Sequence, residues 1–418
     1  MKFDSFRYAL AVACIMGVSI AMAQAQGTPG YLPAEAKVRE AVDSSPDVMT
    51  AESRRDATLA RADGIRAGTA ETVARAIGQG RQVREPSERY AEGQIAVERQ
   101  LRLWGKADAD GRLADAAGEA AQLAVKDARH EASRQILALW FAAVRAGQAR
   151  LDNARAAAEL AALTARRVQV GDASRLDGEL AASDHARVQA ALAMATATEQ
   201  AALAELKARF PGLGRPVPAA EASLPPLPPL TQEPPEQLRA AYVQDSHEYK
   251  LAMAEEMQSQ QQAKRVDLER RPDPTVGMFV TVERGGAERI LGVSVSMPLG
   301  SALRRSAAVA AAADAEAAAR RRLGAERRLG AEFDVQYGNL QGKRGAAQAQ
   351  ANAAALQRTT AERATRAYRA GEISLAGLIP VRRGLADALL AERLAAVDVL
   401  EADSRLKLDL HRMWDFDD

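Results

Sequence analysis

The chain has 418 residues, 27% of them charged, yet a formal net charge of only +1. That balance gives no electrostatic reason to expect nucleic acid as a partner. Aromatics are only 4% while alanine and arginine abound, which favours long, alanine-packed helices over a large aromatic core.

The chain opens on an export signal. Lys2 and Arg7 flank an apolar run from Tyr8 to Ile20, followed by the small-x-small sites Ala21-Met22-Ala23 and Ala23-Gln24-Ala25. Residues 1–23 therefore read as a signal peptide cut after 23 or 25. The apolar run falls short of the roughly 20 residues a membrane helix needs, which argues against an uncleaved anchor. Cys14 is the only cysteine and lies inside the run. The mature chain would have none, which excludes disulfides, zinc-thiolate sites and cysteine nucleophiles. The run continues past Cys14 through Ile15-Met16-Gly17-Val18, which argues against lipidation. No later stretch is apolar enough for a membrane helix. An exported chain of this kind stays soluble or enters the outer membrane through β-strands.

Proline placement divides the rest. No proline lies between Pro86 and Pro211 or between Pro298 and Pro380, and nine of seventeen fall between Pro211 and Pro235. The gaps are where long helices can run, and the cluster is a stiff connector over 211–235. It separates a first repeat, 24–210, from a second, 236–418. Arg166, Gly171, Ser174, Leu206 and Lys207 match Arg366, Gly371, Ser374, Leu406 and Lys407 at one offset of 200 residues. A constant offset over about forty residues points to duplication.

Each repeat begins with a helix and continues into a strand pair. In the first, Ile95, Val97, Leu101 and Leu103 alternate with polar residues, and a partner strand falls within Val73 to Val83. This predicts a hairpin over about 73–104. In the second, Val276, Met278, Val280 and Val282, then Leu291, Val293, Val295, Met297 and Leu299, alternate with small or polar residues around a turn at Gly285-Gly286. This predicts a hairpin over about 273–299. Two hairpins cannot enclose a core. Several chains together could close a barrel, with apolar faces toward lipid.

Gly105 and Gly300 mark the strand-to-helix junctions, where the period changes from two to helical. Long helical hairpins follow over about 106–210 and 301–412. The first helix of each runs about sixty residues, or roughly 90 Å at 1.5 Å per residue. Leu137, Phe141, Val144 and Leu151 form an apolar stripe, and Leu385, Leu389, Val397 and Leu400 form another. Stripes this narrow suit side-by-side packing into a bundle or curved wall. At the tips, Gly171 and Gly371 are suited to the positive φ that ends a helix. Ser174 and Ser374 are placed to cap the next helix with their hydroxyls, with Asp177 completing a Ser-x-x-Asp pattern.

No phosphate loop, nucleotide fingerprint or nucleophile motif appears, so neither catalysis nor a cofactor is expected. His130, His185, His247 and His411 are scattered and lack ligand spacing. They read as surface or interface histidines rather than metal ligands.

The order of signal, helix, hairpin, helical hairpin and proline-rich middle, repeated once, resembles the TolC family of outer-membrane efflux factors. The most specific elements are Gly171 with Ser174, Gly371 with Ser374, and Val293-Ser294-Val295-Ser296-Met297-Pro298-Leu299. The fold class expected is mainly α with a small β part: helical hairpins form a periplasmic tunnel, and two β-hairpins per chain join a shared transmembrane barrel. Arg369 to Leu375, Val381-Arg382-Arg383 and His411-Arg412-Met413-Trp414 are most similar to the CzcC-type branch, which serves heavy-metal exporters.

The resemblance implies a homotrimer in the outer membrane of a Gram-negative cell, extending into the periplasm. Its partners would be a periplasmic adaptor (membrane fusion) protein, an inner-membrane pump of the resistance-nodulation-division type and outer-membrane lipid. It implies that the tips, Val170, Gly171, Asp172 and Ser174 with Ala370, Gly371, Glu372 and Ser374, face the adaptor. Family members place acidic residues just beyond the tip. Here Asp172, Asp177 and Asp184 are available in the first repeat, but Arg382 and Arg383 stand in the second, giving a candidate constriction that mixes Asp177 with Arg382 or Arg383. Ordinary salt bridges between packed helices are the competing reading of these charges. Drug efflux and type I protein secretion are alternatives within the family. A soluble periplasmic coiled-coil adaptor or scaffold is the rival from another class.

Overall fold

The computed structural model describes residues 31–68, 71–170, 175–216, 226–229, 232–300 and 302–416. The expected signal peptide, with Cys14, lies outside them, as does much of the proline-rich connector.

Two short helices open the described chain, α1 (Glu35–Asp43) and α2 (Pro46–Ala67). Strands β1 (Thr72–Val83) and β2 (Glu88–Gln100) follow, then the helices α3 (Lys106–Val170) and α4 (Arg175–Arg209). The second half repeats the order: α5 (Pro235–Asp245), α6 (His247–Leu268), β3 (Thr275–Glu283), β4 (Glu288–Ser296), α7 (Ala302–Arg369) and α8 (Leu375–Asp409). Helices α4 and α8 are 35 residues each, and their first residues stand at the same 200-residue offset as the sequence match. Helix α3 has 65 residues and α7 has 68. At about 1.5 Å per residue each is roughly 100 Å long.

The four strands form one antiparallel sheet in the order β1-β2-β3-β4. The two hairpins thus pair with each other through β2 and β3. Strand β2 stops at Gln100 and β4 at Ser296, short of the predicted ends. Past β2 the pairing dissolves into single bonds, Leu101 N–H to Pro274 O at 2.9 Å and Leu103 N–H to Asp273 Oδ1 at 3.2 Å. Past β4, Pro298 has no N–H with which to continue a ladder.

Register puts Val97, Met278 and Val293 in one row and Ile95, Val280 and Leu291 in the next, all on one face. That face is bare: Leu291, Val293 and Val295 are 72%, 77% and 72% exposed. The opposite face carries Glu98, Gly277 and Ser294 in one row and Ala96, Phe279 and Gly292 in another. Gly292 leaves room there for the Phe279 ring, which would have to shift to admit a Cβ. Among the described residues, no helix is long and apolar enough to cross a membrane.

The helices pack lengthwise, α3 along α2, α4, α6 and α8, and α7 along α6 and α8. The buried positions of α7 recur every seven residues from Phe333 through Leu340, Ala347, Ala354 and Ala361 to Tyr368. A seven-residue repeat keeps one seam facing its neighbour, and alanines let the backbones approach. Two cores flank the lower half of α8. One gathers Val38, Val42, Ile136, Leu137, Phe141, Leu206, Val397, Leu400 and Leu408. The other gathers Leu238, Tyr242, Leu329, Phe333, Leu340, Val399 and Leu406. Burying side chains of this size contributes about 1.5–3 kcal/mol each. The duplicated pair Leu206 and Leu406 is split between them.

Between the cores sits Asp409, 2% exposed. One carboxylate oxygen accepts from His130 Nε2 at 3.2 Å and Arg134 Nε at 2.8 Å. The other accepts from the Tyr242 hydroxyl at 3.2 Å, Gln336 Nε2 at 3.0 Å and Arg405 Nε at 2.7 Å. These donors come from α3, α5, α7 and α8. Burial alone would raise the Asp409 pKa. The His130 and Gln336 hydrogen bonds and the charges of Arg134 and Arg405 outweigh it and hold the group far below the usual carboxylate range. A carboxyl so depressed contributes stability above its unfolded pKa of about 3.9, and that contribution fades as pH falls below about 4. Asp409→Ala leaves the half-buried Arg134 without its carboxylate and should cost about 3–5 kcal/mol. Thermal unfolding of the purified protein at pH 7 and below pH 4 measures both effects: the gap between variant and wild type should narrow in acid.

Candidate functional site

The tip of the second helical hairpin is fully described. Helix α7 closes with Glu372 N–H bonded to Ala367 O at 2.9 Å and Gly371 N–H to Tyr368 O at 3.1 Å. That pairing is the Schellman closure, and Gly371 takes the left-handed φ of +80° that it requires. Ala370, Gly371, Glu372 and Ser374 are all exposed. Beneath them Tyr368, Leu375, Leu378 and Ile379 bury against Ala181 of α4, so the turn rests on a small apolar plug.

Ser374 occupies the N-cap of α8 with extended backbone, but its hydroxyl makes no capping hydrogen bond. The expected hydroxyl cap is thus not formed at Ser374. The Ser374 carbonyl accepts instead, from Gly377 N–H at 3.1 Å and Leu378 N–H at 3.2 Å, and the exposed hydroxyl faces water. Of the first tip, Val170 is the last residue of α3, while Gly171, Asp172 and Ser174 lie outside the described residues. Asp177 stands in the first turn of α4, where a carboxylate suits the positive end of the helix dipole.

Arg382 and Arg383 reach sideways to neighbouring helices. Arg382 pairs with Glu159 of α3 at 3.0 Å, and Arg383 with Asp184 of α4 at 2.6 Å. Asp184 also accepts from Arg187 at 3.1 Å and is buried. Burial would raise its pKa, but the two arginines outweigh that and lower it. The arginines thus tie α8 to α3 and α4 about two turns into α8.

At the strand–helix junctions, Gly105 and Gly300 have φ of +73° and +92°. Trp104, with φ +61°, joins Gly105 in reversing the chain from strand into α3. The next residue, Lys106, is fully buried. Its ammonium donates to Glu269 Oε2 at 3.0 Å and Arg271 O at 2.9 Å, and pairs with Asp273 Oδ2 at 3.0 Å. This knot fastens the start of α3 to the end of α6, where helix gives way to β3. Nothing in the sequence reading singled out Lys106. Its signal was position: a lysine in the first helical turn opposes the helix dipole, so a partner had to be holding it.

The histidines depart from expectation. His130, His247 and His411 are scattered in sequence, yet each places a ring nitrogen within 4.8 Å of one from each of the others. Packing of α3, α6 and the end of α8 brings them together, and spacing along the chain carries no trace of that.

No protein-family model matches the chain, and no curated protein does. Solved structures do. The outer-membrane channel OprN is 18% identical with a TM-score of 0.71, covering 91% of this chain and 90% of that one. The outer membrane protein VceC of Vibrio cholerae is 18% identical with a TM-score of 0.70, covering 91% and 95%. The CmeC outer membrane channel of Campylobacter jejuni is 13% identical with a TM-score of 0.69, covering 90% and 85%. The chain therefore shares, over nearly its whole described length, the fold of these bacterial outer-membrane channels.

Proposed function

We propose that this chain is the outer-membrane component of a tripartite efflux system, a passive exit duct that assembles as a homotrimer. The observation that carries the proposal is the bare apolar face of the β1–β4 sheet, set at the end of helices roughly 100 Å long. An exposed face of that composition suits lipid, and the outer edges of β1 and β4, unpaired among the described residues, suit strands from further copies. Three four-stranded sheets would close a twelve-stranded barrel, and the helices would continue it as a tunnel across the periplasm. The shared fold supports the same reading. Membrane fractionation tests it. A duct stays with the outer membrane, whereas a soluble adaptor leaves with the periplasmic or inner-membrane fraction, and that result would sink the proposal.

Within that reading the tips, Gly171-Asp172 and the exposed Ala370-Gly371-Glu372, dock the periplasmic adaptor, which links the duct to an inner-membrane pump. Bulky residues at Gly171 and Gly371 should weaken adaptor cross-linking severalfold while leaving insertion intact. Unchanged cross-linking would count against tip docking. Asp177, Arg382 and Arg383 form the constriction, with the Arg383–Asp184 pair holding it shut. Arg383→Gln should raise single-channel leak conductance in planar bilayers; equal conductance would remove these residues from the gate. The cargo most consistent with Arg369 to Leu375 and His411 to Trp414 is heavy-metal cations, which metal sensitivity of a deletion strain would reveal.

A further inference from the structure

Three imidazoles meet where the two repeats join. His130 comes from α3, His247 opens α6, and His411 follows the last turn of α8. Their ring centroids lie 5.5, 5.1 and 4.6 Å apart. His247 is buried and the other two are half-buried.

Packing alone does not account for two features. The first is backbone. Helix α8 closes with Arg412 N–H on Lys407 O at 2.8 Å and His411 N–H on Leu408 O at 3.0 Å, the same closure that Gly371 makes at the tip. His411 fills the glycine position with φ of +55°. Histidine tolerates that conformation better than branched residues do, but a Cβ there is still strained. A strained side chain is held for what it carries.

The second is the set of carboxylates behind the rings. Asp409 Oδ1 lies 3.2 Å from His130 Nε2, directly behind that ring. His411 Nδ1 lies 3.7 Å from Asp415 Oδ1, so a second carboxylate stands beside the cluster. A carboxylate behind the imidazole is what fixes the tautomer and orientation of a metal-ligating histidine.

We propose that His130, His247 and His411 bind a divalent transition-metal cation, zinc best, as a resident ion that fastens α3, α6 and the end of α8 together. Three neutral imidazoles suit zinc, copper or nickel and are poor ligands for magnesium or calcium. Zinc–nitrogen bonds of about 2.0–2.1 Å in a tetrahedron set the nitrogens roughly 3.4 Å apart and leave the fourth position for water. The ring nitrogens, within 4.8 Å of one another, must draw closer to reach that spacing. The 35 residues of α8 separate it from the tip, roughly 50 Å at about 1.5 Å per residue. The ion is thus a staple of the repeat junction and not cargo at the gate, and the proposal does not depend on the exit-duct reading.

The test uses the full-length assembly, without a histidine tag, extracted in detergent and stripped with chelator. Zn2+ is added back, the protein is desalted, and retained zinc is counted by mass spectrometry. Wild type should keep about one zinc per chain, and its unfolding temperature should rise on loading. Cobalt in its place should give the intense visible absorption of a tetrahedral site. His411→Asn keeps a residue that tolerates the left-handed conformation and removes one ligand. It should lower zinc affinity at least roughly 100-fold, beyond the loss expected from removing an outer hydrogen-bond partner. Its metal-free unfolding temperature should stay near that of wild type, which separates lost binding from lost folding. His185→Ala, outside the cluster, should bind as wild type does. Wild type that retains no zinc, or His411→Asn that retains it equally well, overturns the proposal.

Discussion

The buried carboxylate of Asp409 is the constraint on which the helical part depends. Donors from α3, α5, α7 and α8 converge on its two oxygens. A buried charge is tolerable only when its lone pairs are satisfied, so those helices cannot slide or rotate independently without exposing an unpaired ion. The apolar cores on either side are less particular, since aliphatic contacts have no preferred direction. Hydrophobic burial holds the bundle together; Asp409 decides its register. The Lys106 knot plays a similar part nearer the sheet, where α3 begins and α6 ends.

The sheet obeys the opposite rule. Its residues alternate as they would over a core, but the face carrying Val97, Met278, Val280, Leu291 and Val293 covers nothing. In water such a face is a liability. In a hydrocarbon layer it costs nothing, provided every backbone group is paired, and that demands closure by further copies. The helices carry the complementary requirement. Past Phe333 the buried seam of α7 is one residue wide and rich in alanine, at Ala347, Ala354 and Ala361. Seams this narrow build a wall of helices and not a solid domain.

Duplication explains the architecture but not its chemistry. Helices α4 and α8 have one length, and Leu206 and Leu406 fill equivalent places in two cores. Yet the counterpart of Asp409 is Arg209, which is exposed and bonds Gln135 at 2.5 Å. The counterpart of His411 is Pro211. The two copies kept their backbone and diverged where they meet. The ion network and the histidine cluster therefore occur at one junction, while the cores occur at both.

Much of the fold was legible because it rests on local periodicity. Proline-free stretches marked α3 and α7, strand alternation marked β3 and β4, and Gly371 announced a left-handed helix end that only glycine fills without strain. The turn at Gly371 was legible for the same reason. Strand ends at Gln100 and Ser296 were not, because alternation continues past the point where partner backbone runs out. The pairing of the hairpins through β2 and β3 was equally hidden. So were Arg383 with Asp184, Lys106 with Asp273 and Glu269, and the meeting of His130, His247 and His411. By itself the sequence determined where helices and strands run, because backbone geometry answers to neighbours three, four or two positions away. Only the tertiary structure decided which charges and imidazoles face one another, because that depends on how helices a hundred or more residues apart dock side by side.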